Sequence, residues 1–212
     1  MTGASRDEHR RRWDERHGER TIESAEPNPI LVAEAAKLSP GTALDVGCGD
    51  GTNAAWLASQ GWRVTGVDWS GVALAKALAS AEGAGVTADW IEADLMTWTP
   101  PAGAFDLVTI VYLHLPVPER RAVYRAAATA VAPGGMLLIV GHDRTNLTDG
   151  AGGPQDPDRL FTAAELAHDL LADDPEFEIE EAGALRRRPG PERGPIDAVL
   201  RARRAGPNWP SS

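Results

Sequence analysis

The sequence has almost no cysteine, little lysine and no long apolar run. Its single cysteine, Cys48 of 212 residues, excludes an internal disulfide and a Cys-x-x-Cys metal cluster, so the sequence points to an intracellular, cytoplasmic protein with no metal. Lysine occurs twice against nineteen arginines, and together with the abundant alanine this reads as a compositional bias of a GC-rich genome, not as a functional signal. No apolar stretch approaches the roughly 20 residues that cross a membrane. The N-terminus, MTGASRDEHRRRWDERHGER, is charged from residue 6 onward, where a secretory signal would be apolar, so a soluble protein without membrane contact is expected. Positive charge is in deficit, with a net charge of -10, which disfavours a phosphate backbone as partner and leaves a small-molecule substrate as the expectation, on a monomer or homodimer.

What is present is a rhythm. Residues 1–26 mix acids and arginines without an apolar period and read as a charged arm or lid; residues 27–205 carry the domain, and 206–212 read as a disordered tail. Pro27-Asn28-Pro29 opens a helix that runs to Pro40-Gly41. Strand-like runs at 43–46, 62–67, 88–93, 105–111 and 136–141 alternate with helical runs at 52–60, 70–80 and 118–131, the pattern of a parallel sheet covered by helices on both faces. Phe105-Asp106-Leu107-Val108-Thr109-Ile110-Val111 is nearly all apolar, as a central strand should be. The segment HDRTNLTDGAGGPQDPDR is too rich in Gly, Pro and Asp for regular structure; a helix at 161–171 and two strands at 176–182 and 195–203, paired as an edge hairpin, complete the chain.

In an open parallel sheet, ligands bind at the carboxyl ends of the strands. After the first strand stands Leu44-Asp45-Val46-Gly47-Cys48-Gly49-Asp50-Gly51, three glycines at alternate positions with acids among them. The glycines permit a sharp turn and close approach of a ligand. The dinucleotide pattern G-x-G-x-x-G is not met, since Thr52 occupies the third glycine's place, and Asp45 and Asp50 would oppose a pyrophosphate. A ligand with an ammonium or sulfonium group inverts that argument, because a carboxylate pairs with it. Asp50 is read chiefly as the cap of the next helix. Asp68, ending the second strand seventeen residues beyond Gly51, can accept both hydroxyls of a ribose, and Trp69 offers a flat face to an adenine. After the third strand, Asp94 can accept from an adenine amino group while Leu95 packs on the ring. Each of these residues also has an ordinary structural reading as a cap or packing group.

These stretches, LDVGCGDG, VTGVDWS, EADLMTW, FDLVTIVYLHL and VAPGGMLLIV, resemble in order and spacing the successive motifs of class I S-adenosylmethionine-dependent methyltransferases over roughly residues 28–141. The resemblance implies a single-domain, Rossmann-like α/β fold with a seven-stranded, mostly parallel sheet in the order 3-2-1-4-5-7-6, its last strand antiparallel. It implies S-adenosyl-L-methionine as cofactor, held by Asp45, Gly47, Cys48, Gly49, Asn53, Asp68, Trp69, Asp94, Leu95 and Val111. WDERH, SAEPN, DGTNAAWLA and GGPQDPDRLFT are similar to the small bacterial tellurite-resistance and thiopurine-type enzymes. In that group an N-terminal aromatic folds over the cofactor, and Trp13, or in its place His17, matches it.

Methyl transfer needs a nucleophile aligned with an activated carbon; a base is needed only if the acceptor must lose a proton. Tyr112 and His114 follow the fourth strand, where this superfamily lines its acceptor site, and either can be catalytic or merely structural. His142 and Arg144 follow the fifth, with Arg144 suited to an acceptor carboxylate or oxyanion. Gly150, Gly152 and Gly153 are possible hinges of a closing loop. The expected activity is methyl transfer to a small-molecule S, O, N or chalcogen oxyanion acceptor. The alternatives are a non-catalytic adenosyl-binding regulatory module or a nicotinamide-dependent oxidoreductase.

Overall fold

The computed structural model describes residues 26–171, 176–186 and 194–206, together with seven positions between Glu8 and Gly18. The described residues fall into two compact units divided between Thr99 and Pro100. In the first, helix α1 (Pro29–Ala35) is started by Asn28, whose side chain accepts the amide protons of Ile30 and Leu31 at 2.9 and 3.2 Å. Strand β1 (Thr42–Val46), helix α2 (Thr52–Ser59), strand β2 (Arg63–Asp68), helix α3 (Gly71–Gly83) and strand β3 (Asp89–Glu92) follow. β1 runs parallel to β2, with Val46 opposite Val67, and β2 parallel to β3, with Asp68 opposite Glu92. The two acids that end β2 and β3 are thus neighbours at the carboxyl edge. The buried faces of α2 and α3 are dominated by alanine (Ala54, Ala55, Ala73, Ala77, Ala81), so these helices sit close to the sheet.

The second unit contains β4 (Phe105–Val111), α4 (Val117–Thr129), β5 (Val131–His142), α5 (Asn146–Asp149), a 3-10 turn at Pro157–Arg159, α6 (Ala163–Leu171), β6 (Phe177–Arg186) and β7 (Ile196–Arg204). β4 and β5 are parallel; β7 runs antiparallel to both β5 and β6. The strand order of the seven-stranded sheet is β3-β2-β1-β4-β5-β7-β6, the order the resemblance implies. Leu107, Val108, Ile110, Leu137, Leu138, Ile139 and Leu200 are fully buried, each contributing about 1.5–3 kcal/mol relative to exposure. β6 forms the edge, and the final hairpin is present as expected.

Three boundaries differ from the sequence reading. β5 begins at Val131, before Pro133-Gly134-Gly135, because Val131 already pairs with Phe105 across an irregular register. α6 begins at Ala163 because Thr162 and Glu165 form a reciprocal cap: Thr162 Oγ1 accepts from the Glu165 amide at 3.1 Å and Glu165 Oε2 from the Thr162 amide at 2.8 Å. The polar segment after β5 is not structureless. It holds α5 and the 3-10 turn, and buried Asn146 ties it down, accepting from the Ile196 amide at 2.9 Å and donating to the Gly152 carbonyl at 2.7 Å. Among the described residues no helix is long and apolar enough to cross a membrane.

Candidate functional site

In the first unit the loop after β1 is bent by Gly47, Gly49 and Gly51 at φ 72°, 55° and 73°, values in the left-handed region that favours glycine. The amides of Gly47 and Cys48 both donate to the Val67 carbonyl, at 2.8 and 3.1 Å, fastening the loop to the end of β2. Asp68 organises the rest: Oδ2 accepts from the Gly49 amide and Oδ1 from the Ser70 amide, both at 2.9 Å. One carboxylate therefore shapes the glycine loop and the start of α3. Gly51 has a different duty. A Cβ there would lie 2.6 Å from Ala77 Cβ and 2.8 Å from the Trp90 ring, so its missing side chain permits helix packing.

Asp45 is 1% exposed and Asp68 9%. Their charge is felt by Cys48, whose thiol is pushed well above its ordinary value, first by burial and then by the Asp45 and Asp68 carboxylates. The loop is a negative, partly desolvated environment, suited to a cation and unsuited to a pyrophosphate. Asp50 accepts from Thr52 Oγ1 at 2.8 Å and weakly from the Thr52 amide at 3.4 Å; the cap position itself is Gly51, so the capping role assigned to Asp50 falls one residue further on. Asn53 accepts from the Asn28 amide at 2.9 Å, which holds the start of α1 and gives its carbonyl a structural task. Asp94 Oδ1 accepts from the Met96 amide at 2.9 Å in a local turn, while Trp69, Leu95 and Val111 are each half-buried.

The N-terminal arm reaches this edge. Ser70 Oγ caps α3 by accepting from the Ala73 amide at 3.1 Å and donates to Asp14 Oδ1 at 2.5 Å, while Arg10 pairs with Glu92 at 3.6 Å. Helical residues around Asp14 thus sit against the ends of β2 and β3, and Trp13 beside it is half-buried. His17 lies outside the described residues.

The second unit gathers three of its four candidate residues into one cluster. Tyr112, at φ 57°, donates its amide to the Val140 carbonyl and its hydroxyl to Asp197 Oδ2, both at 2.8 Å. His142 Nδ1 faces Asp197 Oδ1 at 3.3 Å. His114 stacks on His142 with ring centroids 5.2 Å apart and planes 8° from parallel, and His114 Nε2 accepts the His142 backbone amide at 3.0 Å. Burial, and then the neighbouring His142, lowers the His114 pKa to about 4, partly offset by its hydrogen bond to the Tyr112 backbone. A neutral ring engaged at both nitrogens is a poor base, so the geometry gives His114 a supporting role in place of the proton-accepting one considered from sequence. Arg144 lies outside this cluster: its guanidinium pairs with Glu165 Oε1 at 3.0 Å and donates to the Leu160 carbonyl at 3.5 Å.

Asp197 escaped the sequence reading. It is fully buried at the start of β7, opposite His142 in register, and a lone acid beginning the apolar run Ile196–Leu200 was the available signal. Gly153, at φ 77°, lies against the His142 imidazole, where a Cβ would overlap the ring carbons and approach Nε2 to 2.8 Å. The loop segment expected to hinge is packed on this histidine.

Residues 43–135 match a family model described as a methyltransferase domain. The ubiquinone biosynthesis O-methyltransferase of Pseudomonas paraeruginosa is 38% identical over 117 residues, which are 53% of this chain and 50% of the relative. The chain spans about half the length of the curated relatives it matches. Among solved structures, a SAM-dependent methyltransferase from Methanosarcina mazei matches with TM-score 0.66 and 22% identity over 86% of this chain and 100% of its own. TehB from Haemophilus influenzae matches with TM-score 0.68 and 18% identity over 86% of this chain and 64% of its own.

Proposed function

We infer that this chain, whose residues 43–135 match a methyltransferase-domain model and whose strands follow the order that the resemblance implies, transfers a methyl group from S-adenosylmethionine to a small molecule. The observation that carries this reading is the glycine loop with its two buried acids. Two buried carboxylates beside the loop stabilise a sulfonium or ammonium group, and burial together with those carboxylates keeps the Cys48 thiol un-ionised. The glycine spacing and the buried Asp45 carboxylate disfavour the nicotinamide reading, whose pyrophosphate would meet that acid.

In this assignment Asp45 answers the ligand's amino group, Gly47 and Gly49 admit the backbone close to it, and Asp68 takes the ribose hydroxyls. Trp69 and Leu95 supply half-buried apolar surface for the adenine, with Asp94 at its amino group. Trp13 stands on the arm that Asp14 and Arg10 hold against the strand ends. Bound S-adenosylmethionine supplies a methyl carbon activated by its positive sulfur; the chain supplies alignment and a negative, shielded surround. The name of the curated relatives supports an oxygen acceptor, the net charge of -10 supports a small one over nucleic acid, and the lone buried cysteine suits the cytoplasm.

Calorimetric titration with S-adenosylmethionine and with NAD, followed by incubation with acceptor pools and detection of S-adenosylhomocysteine, tests the reading. Saturable binding of the first ligand and product formation are expected. Binding of NAD in place of S-adenosylmethionine overturns it.

A further inference from the structure

Arg120, in α4 of the second unit, is the one basic side chain buried among the described residues, at 2% exposure, and no carboxylate among them stands at ion-pair distance from it. A charge is seldom taken out of water without a counterion. The guanidinium lies 5.2 Å from the Phe161 ring centre, and its Nη1 donates to the Asp158 and Leu160 carbonyls at 3.5 and 3.4 Å, both long. These contacts hold the group but do not neutralise it. Its Nε and Nη2 make no hydrogen bond among the described residues.

The acids around it are taken. Asp169 accepts Arg121 Nε at 3.0 Å and Nη2 at 2.8 Å, and Glu165 pairs with Arg144 at 3.0 Å. The Tyr124 hydroxyl, pushed up by burial, stays neutral and donates to the Leu113 carbonyl. Burial lowers the Arg120 pKa, offset in part by Tyr124, Asp169 and Glu165, while Arg144 adds to the lowering. An arginine still cannot shed its proton at neutral pH, so the charge remains.

Arg144 brings a second guanidinium to the same place. Its Nη2 donates to the Leu160 carbonyl that Arg120 also uses, at 3.5 Å, and its Nε is buried with no hydrogen-bond partner. The Arg144 and Glu165 side chains are each 42% exposed, so this pair is the water-facing side of the cluster.

We propose that Arg120 and Arg144 form a binding site for a small monocarboxylate, contained within the second unit. The site goes beyond methyl transfer and needs no methyl donor. Two guanidinium groups against the Glu165 carboxylate leave one positive charge, which a monoanion cancels and a phosphate dianion would exceed. A carboxylate is planar and takes two parallel N–H bonds from one edge of a guanidinium fork. The Nε and Nη2 edge that Arg120 leaves unused is the edge with which Arg121 grips Asp169. Phe161 and the two carbonyls already fix the plane of Arg120, so little side-chain freedom remains to be lost on binding.

Nitrogen-15 NMR of the arginine Nε–H groups in the full-length chain, assigned with Arg120→Met and Arg144→Gln, reads the site directly. The titrants are sodium acetate and sodium benzoate, their neutral amides acetamide and benzamide, and inorganic phosphate, all at one ionic strength and without S-adenosylmethionine. Saturable shifts of the Arg120 and Arg144 signals with the two carboxylates are expected. Equal response to the amides overturns recognition of charge, tighter binding of phosphate overturns the monocarboxylate assignment, and no saturable shift with any titrant overturns the site. Arg120→Met keeps an apolar stem of similar length and removes the charge. It should weaken benzoate binding roughly 10–150-fold and leave the ligand-free melting temperature unchanged or raised, since a buried charge without a counterion is gone. A lowered melting temperature with unchanged benzoate affinity would make Arg120 a brace for the loop before α6 and overturn the proposal. Arg144→Gln, at a half-exposed position, should give a comparable loss of affinity even if Arg120→Met fails to fold, and unchanged affinity there counts against the second guanidinium. Because none of these measurements uses the methyl donor, their failure leaves the methyltransferase reading untouched, and failure of that reading leaves them standing.

Discussion

Replacing Asp68 by asparagine keeps size and shape, so its effect isolates the carboxylate. Both oxygens accept backbone amides, from Gly49 and Ser70 at 2.9 Å each. Asparagine has one acceptor oxygen and one donor NH2, so one of those two amides must face another donor. Losing a charge-assisted hydrogen bond and leaving a donor unsatisfied costs about 1.5–3 kcal/mol, enough to loosen the glycine loop without unfolding the chain. A ribose diol bound by this carboxylate would lose its anionic acceptor as well, another 1.5–3 kcal/mol or so, which corresponds to roughly 10–150-fold in Kd. Isothermal calorimetry with S-adenosylhomocysteine measures the affinity without turnover, and thermal unfolding in parallel confirms the fold. A well-folded Asp68→Asn that binds within threefold of the wild type would refute both the ribose role and the view that this carboxylate shapes the loop.

Two further outcomes follow from the same geometry. Gly51→Ala combines a left-handed backbone at φ 73° with overlap on Ala77 and Trp90, worth about 2–5 kcal/mol, so the melting temperature should fall by on the order of 10 °C; an unchanged value would mean that the glycine serves only ligand approach. His114, held to about 4 in the fold, is protonated more readily in the unfolded chain, where the ordinary value near 6.5 applies. Its contribution to stability is therefore complete above about pH 6.5 and is lost as pH falls toward 4, by up to about 3 kcal/mol, and urea unfolding at pH 7.5 and 4.5 should show a shallower dependence in His114→Gln. Equal slopes for the two proteins would count against the burial argument.

The alternation of strands and helices was legible because it is local, each unit a short apolar run followed by a turn, whereas the strand order came only with the resemblance to a family. What could not be read was partnership between distant segments. Nothing near Arg144 in sequence announces that Glu165 will neutralise it, since the pair forms only when α6 packs back over the loop after β5. Asp197 was passed over for the same reason: beyond a lone acid in an apolar run, its meaning depends on an antiparallel ladder that places it opposite His142. Gly51 carried a signal that sequence misassigned, because its glycine pattern suggested a ligand while Ala77 and Trp90 are what fill its space. Asp68 lay between these cases. Its position suggested a ribose acid, and the structure adds that it fastens the loop.

Tyr112 holds two opposed demands at one position. Its backbone, at φ 57°, is in a conformation that costs a bulky residue about 1–3 kcal/mol and costs glycine almost nothing, while its hydroxyl is spent on Asp197. A change to glycine at 112 would relax the chain and in the same stroke take a hydrogen bond from the buried carboxylate. Relief of the backbone and loss of that bond therefore pull the stability of a Tyr112→Gly variant in opposite directions, and its melting temperature reads their difference.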